Sequence, residues 1–264
     1  MTHPSYERVR QVTPTAAVVL ADNPGPMTLE GTNTWLLRAP GDESSIVVDP
    51  GPDDEAHLAA VAAAAGQVAT ILLTHGHPDH SAGARRLHEL TRAPVRALDP
   101  AHRLGDEGLV EGDVVAAAGV ELRVWATPGH SSDSLSFLLD PRDGAAAGIL
   151  TGDTILGRGT TVVAYPDGDL RAYLASLHRL QALGDATVLP GHGPELPRAG
   201  EAAAAYLAHR EQRLDQVRAA LAELGPDAEP RAVVELVYSD VDQVLWWAAE
   251  LSVRAQLAYL RERP

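Results

Sequence analysis

Apolar and β-branched residues fall in short runs punctuated by Pro and Gly over the first three quarters of the chain. Thr15 to Ala21, Asn33 to Arg38 and Ser45 to Val48 predict strands, as do Val68 to Leu73, Pro94 to Leu98, Val120 to Trp125, Leu135 to Leu139 and Gly148 to Leu150. Val188 and Leu189 form a further short strand. Between them, Ala56 to Ala65 is Ala-rich and reads as helix, and Ser81 to Thr91 reads as a helix entered directly from a His-rich turn. Leu170 to Leu183 reads as a helix, with Asp169 placed as N-cap. This mixed order is not a βαβα repeat; it fits an α/β chain in which two sheets pack face to face with helices outside. After Pro197 the spacing turns wholly helical: Gly200 to Leu224, closed by Gly225-Pro226, then Arg231 to Val237 and Val244 to Arg261. The pattern divides the chain into a sandwich domain, 1–197, and a helical subdomain, 198–264.

Several of these strands end in a residue that folding alone does not call for. Val68 to Leu73 runs into Thr74-His75-Gly76-His77-Pro78-Asp79-His80, three imidazoles and a carboxylate within six residues. That donor set suits zinc or a similar borderline ion. His75 and His77 alternate along an extended backbone and can face one side, while Pro78 turns the chain so that Asp79 and His80 approach from another. One ion does not need all four; two adjacent ions do. His130 follows Thr127-Pro128-Gly129, Asp153 follows Leu150-Thr151-Gly152, and His192 follows Pro190-Gly191, each again at the end of an apolar run. A lone histidine is more often a surface or satisfied core residue than a ligand, but a shared local design at all of these places raises the joint reading. Asp49, in Val48-Asp49-Pro50-Gly51, has two readings: it holds a ligand histidine in place, or it caps its own turn.

With these residues the sequence resembles the metallo-β-lactamase superfamily, whose HxHxDH signature stands here as His75, His77, Asp79 and His80, followed in order by His130, Asp153 and His192. Within it the chain is similar to the group that includes beta-lactamase-like protein 2, through Asn23 to Leu36, Tyr165 to Leu170 with Tyr173, Ser176 and Leu177, and His209-Arg210-Glu211. The resemblance covers nearly the whole chain. It implies an αββα sandwich with a small winged-helix-like C-terminal subdomain, and it assigns His75, His77 and His130 to one ion and Asp79, His80 and His192 to a second, with Asp153 bridging. The cofactor it implies is two zinc ions, with other divalent metals as alternatives. A hydroxide shared by two such ions is the implied nucleophile, oriented by Asp79 as the catalytic residue.

Composition narrows the function. There are no cysteines, so every ligand is His, Asp or Glu, and no disulfide forms. The net charge is −15, and all 21 basic residues are arginine. Arg85, Arg86, Arg210, Arg213 and Arg218 are interleaved with acids and read as solvated, paired helix faces. An acidic surface disfavours polyanions unless basic groups are concentrated locally. Met1-Thr2-His3-Pro4 does not open a signal peptide and no run approaches membrane-spanning length, so a cytoplasmic protein away from the membrane is expected.

A thioester or small ester, small-molecule or carrier-bound, is therefore the expected substrate. The alternative, a single-strand endoribonuclease, is disfavoured by charge. It is disfavoured too by a chain that stops at Arg261-Glu262-Arg263-Pro264 where the resemblance leads into a wing, and by Gln256 where a histidine is expected. A non-catalytic binding protein is opposed by the presence of all seven ligands, and a true β-lactamase by the bridging carboxylate. Thr28 to Asn33 and Gly157 to Tyr165 are the expected substrate-facing segments. Of the other histidines, His3, His57, His88, His102 and His178 are expected to be ordinary, with His209 singled out only by the group-level match. Trp246-Trp247 are expected to pack the helical subdomain against the sandwich, with an exposed stacking surface as the alternative.

Overall fold

Alternation along one strand decides the layering. In β2 (Ala16–Leu20), Ala16 and Val18 point into the space between two sheets, while Ala17 and Val19 point to the opposite face, where helices cover them. The computed structural model of the protein describes residues 5–105, 107–140, 147–239 and 241–261. The expectations for Met1 to Pro4, His3 among them, and for the chain end at Glu262 to Pro264 lie outside the described residues.

One sheet runs β1 (Val9–Thr13), β2, β3 (Asn33–Leu37), β4 (Ser44–Val48), β5 (Gln67–Leu72) and β6 (Val95–Arg96), in that spatial order. The other runs β11 (Thr187–Pro190), β10 (Gly148–Gly152), β9 (Leu135–Leu139), β8 (Val120–Ala126) and β7 (Val114–Ala117). Trp35, Ile46, Leu72, Leu122, Phe137 and Leu150 are among the residues that fill the interior between them. The outer face of the first sheet is covered by α1 (Glu55–Ala65) and α3 (Ala84–Thr91) through Leu58, Val61 and Leu87. The outer face of the second is covered by α4 (Leu170–Gln181) and α5 (Ala199–Leu224) through Tyr173, Leu177, Ala203 and Leu214. This is the αββα order, and burial of both faces of both sheets explains why so many strand positions are apolar.

Topology then puts the chemistry on one edge. β4 and β5 are parallel, as are β10 and β11, each pair joined through a helical crossover. β8 is antiparallel to β9, which is antiparallel to β10, so β8 and β10 run in one direction. The loops leaving β4, β5, β8, β10 and β11 therefore gather at one rim, the usual place for function on a rigid sheet scaffold.

The single helix expected over Ser81 to Thr91 is two pieces, α2 (Pro78–Ser81) and α3, separated at Gly83. The Gly83 amide is tied to Gly51 O at 2.9 Å, and a Cβ there would meet Pro52 O at 2.8 Å, so contact with the β4 loop breaks the helix. The expected strand over Pro94 to Leu98 narrows to β6, and β1 and β7, both at sheet margins, add strands that the apolar pattern did not mark.

Beyond Pro197 the described residues form α5, α6 (Pro230–Val237) and α7 (Trp246–Arg261), with no strand among them. α5 and α7 join the sandwich through Tyr206, Leu214, Ala255 and Tyr259 against α4. Trp246 does not make that junction: it packs among Val217, Val233 and Val253 in a separate core of the C-terminal helices, and Trp247 is exposed. The apolar stripe of α4 meets α5 first, leaving the tryptophans to the helices behind. Gln256 is buried, with Nε2 3.4 Å from the Tyr238 hydroxyl and Oε1 unpartnered. The paired-face expectation holds for Arg86 and Arg218, which meet Glu55 and Asp215, but not for Arg210, which is buried, nor for Arg213, which stacks on Tyr238.

Candidate metal centre

All seven residues singled out from the sequence as ligands converge at this rim. His75 and His77 follow β5, Asp79 and His80 lie on α2, and His130, Asp153 and His192 follow β8, β10 and β11. Three overlapping groups have ligand atoms within 4.8 Å of one another: His75 with His77 and His130; His75 with His80 and Asp153; and Asp79 with His80 and His192.

The inward nitrogen atoms crowd one another. His77 Nδ1 is 3.0 Å from His75 Nε2 and 3.0 Å from His130 Nε2, and His80 Nε2 is 3.2 Å from His192 Nε2. Three ring nitrogens around one centre at Zn–N distances of about 2.0–2.1 Å would stand about 3.3 Å apart in a tetrahedron. The spacing fits ligands to a shared cation better than a hydrogen-bonded chain, because an imidazole pair 3.0 Å apart needs a donor and three rings cannot all alternate roles. Asp153 Oδ1 supports the same reading: it lies 3.3 Å from His80 Nε2 and 3.4 Å from His192 Nε2, yet is buried without a properly aligned hydrogen bond. Asp79 Oδ2 stands 3.1 Å from His192 Nε2. His77 and Asp79 are only half-buried, which marks the open side.

The other nitrogen of four imidazoles is held from behind. His80 Nδ1 meets Asp49 Oδ2 at 2.9 Å, His75 Nδ1 meets Thr74 Oγ1 at 3.0 Å, His130 Nδ1 meets Val162 O at 2.8 Å, and His192 Nδ1 meets Gly31 O at 3.1 Å. A hydrogen bond at Nδ1 leaves the Nε2 lone pair aimed into the site, the arrangement expected around metal-ligating histidines. Of the two readings of Asp49, its carboxylate reaches His80 rather than capping its own turn. It also accepts from Thr74 N at 2.8 Å and Thr74 Oγ1 at 2.7 Å, from a left-handed backbone at φ 52°.

The segments quoted for the closer resemblance turn out to brace these loops. Asn33 Nδ2 donates to Pro190 O at 3.0 Å and Gly193 O at 2.8 Å on either side of His192. The Tyr173 hydroxyl donates to Thr154 O at 2.7 Å beside Asp153, and Ser176 Oγ donates to Pro128 O at 2.8 Å before His130. Two glycines are required by close approach. A Cβ at Gly191 would stand 2.6 Å from His80 Cε1 and 2.8 Å from Asp153 Oδ1. At Gly129, φ is 134° and a Cβ would sit 2.3 Å from the Tyr173 backbone.

Burial and charge set two kinds of histidine. Burial, reinforced by His80 and His130, holds His75 well below the ordinary imidazole value, and burial lowers His130 against the pull of Asp153. Burial also opposes a proton on His80, but Asp153 and Asp49 outweigh it and raise it well above the ordinary value. His192 is likewise raised to about 9, Asp153 and Asp79 outweighing burial. For Asp153, burial favours the neutral acid, but His192 and His80 overcome it and hold the carboxylate well below its usual range. Asp79 is lowered too, by His192 and His80 against burial.

Of the other histidines, His57 is buried between Thr34 Oγ1 at 2.8 Å and Glu7 Oε2 at 2.8 Å, and His88 Nδ1 meets Ala93 O at 2.8 Å. Both are structural partners. Thr161 Oγ1 also lies 3.1 Å from His130 Nδ1. The sequence does not disclose the carbonyls of Gly31 and Val162 as partners, because a backbone carbonyl leaves no mark in it, whereas Thr74 beside His75 is a partner the sequence could suggest.

A sequence model of the metallo-beta-lactamase superfamily matches residues 27–192. The atrochrysone carboxyl ACP thioesterase of Aspergillus fumigatus is 32% identical over 226 residues, 83% of this chain and 68% of its own length. The beta-lactamase-like protein 2 homolog of Caenorhabditis elegans is 31% identical over 264 residues, 96% of this chain and 84% of its own. A metallo-beta-lactamase family protein from Thermus thermophilus has the same fold, with a TM-score of 0.77 at 24% identity over 96% of this chain and 95% of its own.

Proposed function

The chain belongs to the metallo-beta-lactamase superfamily and is a metal-dependent hydrolase; from that premise we propose that it holds two zinc ions and hydrolyses a thioester on a small or carrier-bound acyl group. The observation that carries the metal part is the convergence of seven His and Asp residues, four of whose imidazoles have the second ring nitrogen held from behind. His75, His77 and His130 would hold one ion and Asp79, His80 and His192 the other, with Asp153 between them. Imidazole and carboxylate donors without thiolate fit zinc. When bound, such ions acidify water and polarise the scissile carbonyl.

The chain's own groups supply the rest. Asp79, ionised and half-buried on the open side, would orient the attacking water and take its proton at the carboxylate oxygen that does not face the ion. Water adds to the carbonyl, the C–S bond breaks, and the products are a carboxylate and a thiol. Asp49, Thr74, Gly31 and Val162 keep the ligand rings from reorienting. The thioester preference is supported by the thioesterase among the relatives and by the net charge of −15, which disfavours RNA. The sandwich 1–197 would carry the catalysis and the helical subdomain 198–264 would border the substrate. No helix among the described residues is long and apolar enough to cross a membrane.

The test is turnover by zinc-loaded protein on acyl thioesters, esters, phosphodiesters and single-stranded RNA at physiological salt, beside elemental analysis. About two zinc ions per chain and thioester hydrolysis abolished by Asp153→Ala are expected. Efficient RNA cleavage lost in Asp79→Ala, with no thioesterase activity, would replace the reading by the endoribonuclease; a metal content that stays at one or below in excess zinc would overturn the dinuclear part.

A further inference from the structure

A cavity of about 260 Å³ lies between the sandwich loops and the C-terminal helices. Met27 and Thr161 line one side; His209, Arg210, Arg213 and Tyr238 line the other. Both loops reach the metal centre. The loop of Thr161 and Val162 holds His130 Nδ1, and the loop running on from Met27 holds His192 through Gly31 O. The cavity is therefore one layer of chain away from the ligands.

Its charge is opposite to that of the molecule. The net charge is −15, yet no carboxylate among the described residues lines this cavity. On the same group of helices Arg218, Arg231 and Arg254 each pair with an acid. Arg210 and Arg213 pair with no acid among the described residues. Arg210 hydrogen-bonds Thr161 O through Nη2, lies 5.1 Å over the Tyr173 ring and leaves Nε buried without a partner. Arg213 stacks 4.6 Å over the Tyr238 ring and gives Nη1 to Gln216 and to Val237 O, with Nη2 left over. Between them His209 Nδ1 is buried and unpartnered. Burial and the two guanidiniums lower that imidazole to about 4, so it stands neutral at pH 7 as a further hydrogen-bonding group. Leu245, Ala248 and Ala249 give the cavity an apolar floor.

Two uncompensated guanidiniums, an unpartnered imidazole and an apolar floor suit an anion carried on an apolar stem. We propose that this cavity is a specificity subsite that binds an anionic group, carboxylate or phosphate, of the same substrate whose thioester is cleaved at the metal centre, with Arg213 as its principal contact. The proposal rests on the acyl-hydrolase reading and extends it to the substrate's charge.

Three thioesters test it on zinc-loaded wild-type protein, Arg213→Gln, Arg213→Lys and His209→Gln. The butyryl thioester of N-acetylcysteamine is neutral, the succinyl thioester of N-acetylcysteamine carries a carboxylate on the acyl side, and butyryl-CoA carries phosphates on the thiol side. One anionic substrate is expected to have the lower KM, and which one identifies the source of the anion. Arg213→Gln should raise that KM about tenfold or more, with kcat much less affected, because a charge-assisted contact is lost. Arg213→Lys should restore part of the loss, and the neutral substrate should be far less affected. A similar loss on all three substrates, or no preference for either anion, overturns the subsite. So does an Arg213→Gln effect confined to RNA cleavage. If no thioester is cleaved, the acyl-hydrolase reading fails separately. The cavity is then judged by NMR titration of chelator-treated protein with inorganic phosphate and succinate, where binding weakened by Arg213→Gln supports an anion site and binding that is absent or insensitive to it rejects one.

Discussion

Replacing Asp49 by Asn changes one heavy atom and keeps the shape, yet it should weaken one half of the metal centre. The carboxylate accepts three hydrogen bonds: from Thr74 N on Oδ1, and from Thr74 Oγ1 and His80 Nδ1 on Oδ2. Asn tolerates the left-handed backbone at this position, so the loop itself is not strained. The amide can place its NH2 at the Oδ1 position, where it faces the Thr74 amide donor. It can instead place NH2 at the Oδ2 position, where the Thr74 hydroxyl can turn to accept but His80 can accept only by moving its proton to Nε2. That atom is the one aimed into the site, 3.2 Å from His192 Nε2 and 3.3 Å from Asp153 Oδ1. The first arrangement leaves buried donors opposed, at a cost of about 1–3 kcal/mol; the second removes the ligand lone pair. Loss of such an orienting partner lowers metal affinity about 10- to 100-fold, or ~1.4–2.7 kcal/mol. Competition with a chromophoric chelator should show one zinc weakened by that factor, the one served by Asp79, His80 and His192. The other zinc should stay close to wild-type affinity, and circular dichroism should be unchanged. Two zinc ions bound within twofold of wild-type affinity would refute the reasoning.

Two further outcomes follow from the same geometry. Gly191→Ala should destabilise the protein by about 1–3 kcal/mol and depress zinc binding, because its methyl group would press on His80 and Asp153; thermal melts with and without zinc check it, and a variant that melts and binds like wild type would show that the loop yields freely. In metal-free protein, the pairing of His192 with Asp153 and Asp79 contributes stability that is full below the ordinary imidazole value of 6.5 and is lost as pH rises through about 9. His80 is shifted in the same direction. The melting temperature of chelator-treated protein should therefore fall between pH 6.5 and 9.5, whereas zinc affinity should rise with pH because zinc must displace those protons; a metal-free melting temperature that climbs across this window would contradict the pairing.

The sequence by itself marked the candidate ligands and the layers. His75, His77, Asp79, His80, His130, Asp153 and His192 were legible because they stand just past apolar runs, most of them beside a Gly or Pro, and a strand end is a local property. The apolar run of β2 and the Asp169 cap of α4 were legible for the same reason: each is set by neighbours within a few residues. The break at Gly83, the burial of Arg210 and the place of Trp246 were not legible. Each depends on a contact between distant segments, Gly83 with the β4 loop, Arg210 with Thr161 O, and Trp246 with a core the C-terminal helices build among themselves. Asp49 shows the boundary between the two. Its turn was visible in the chain, but whether its carboxylate capped that turn or held a histidine depended on β4 and β5 lying side by side and parallel, which brings residue 49 against residues 74 and 80. Side-chain chemistry is written residue by residue, while the partner that fixes a ring's tautomer is chosen only when strands far apart in sequence pair.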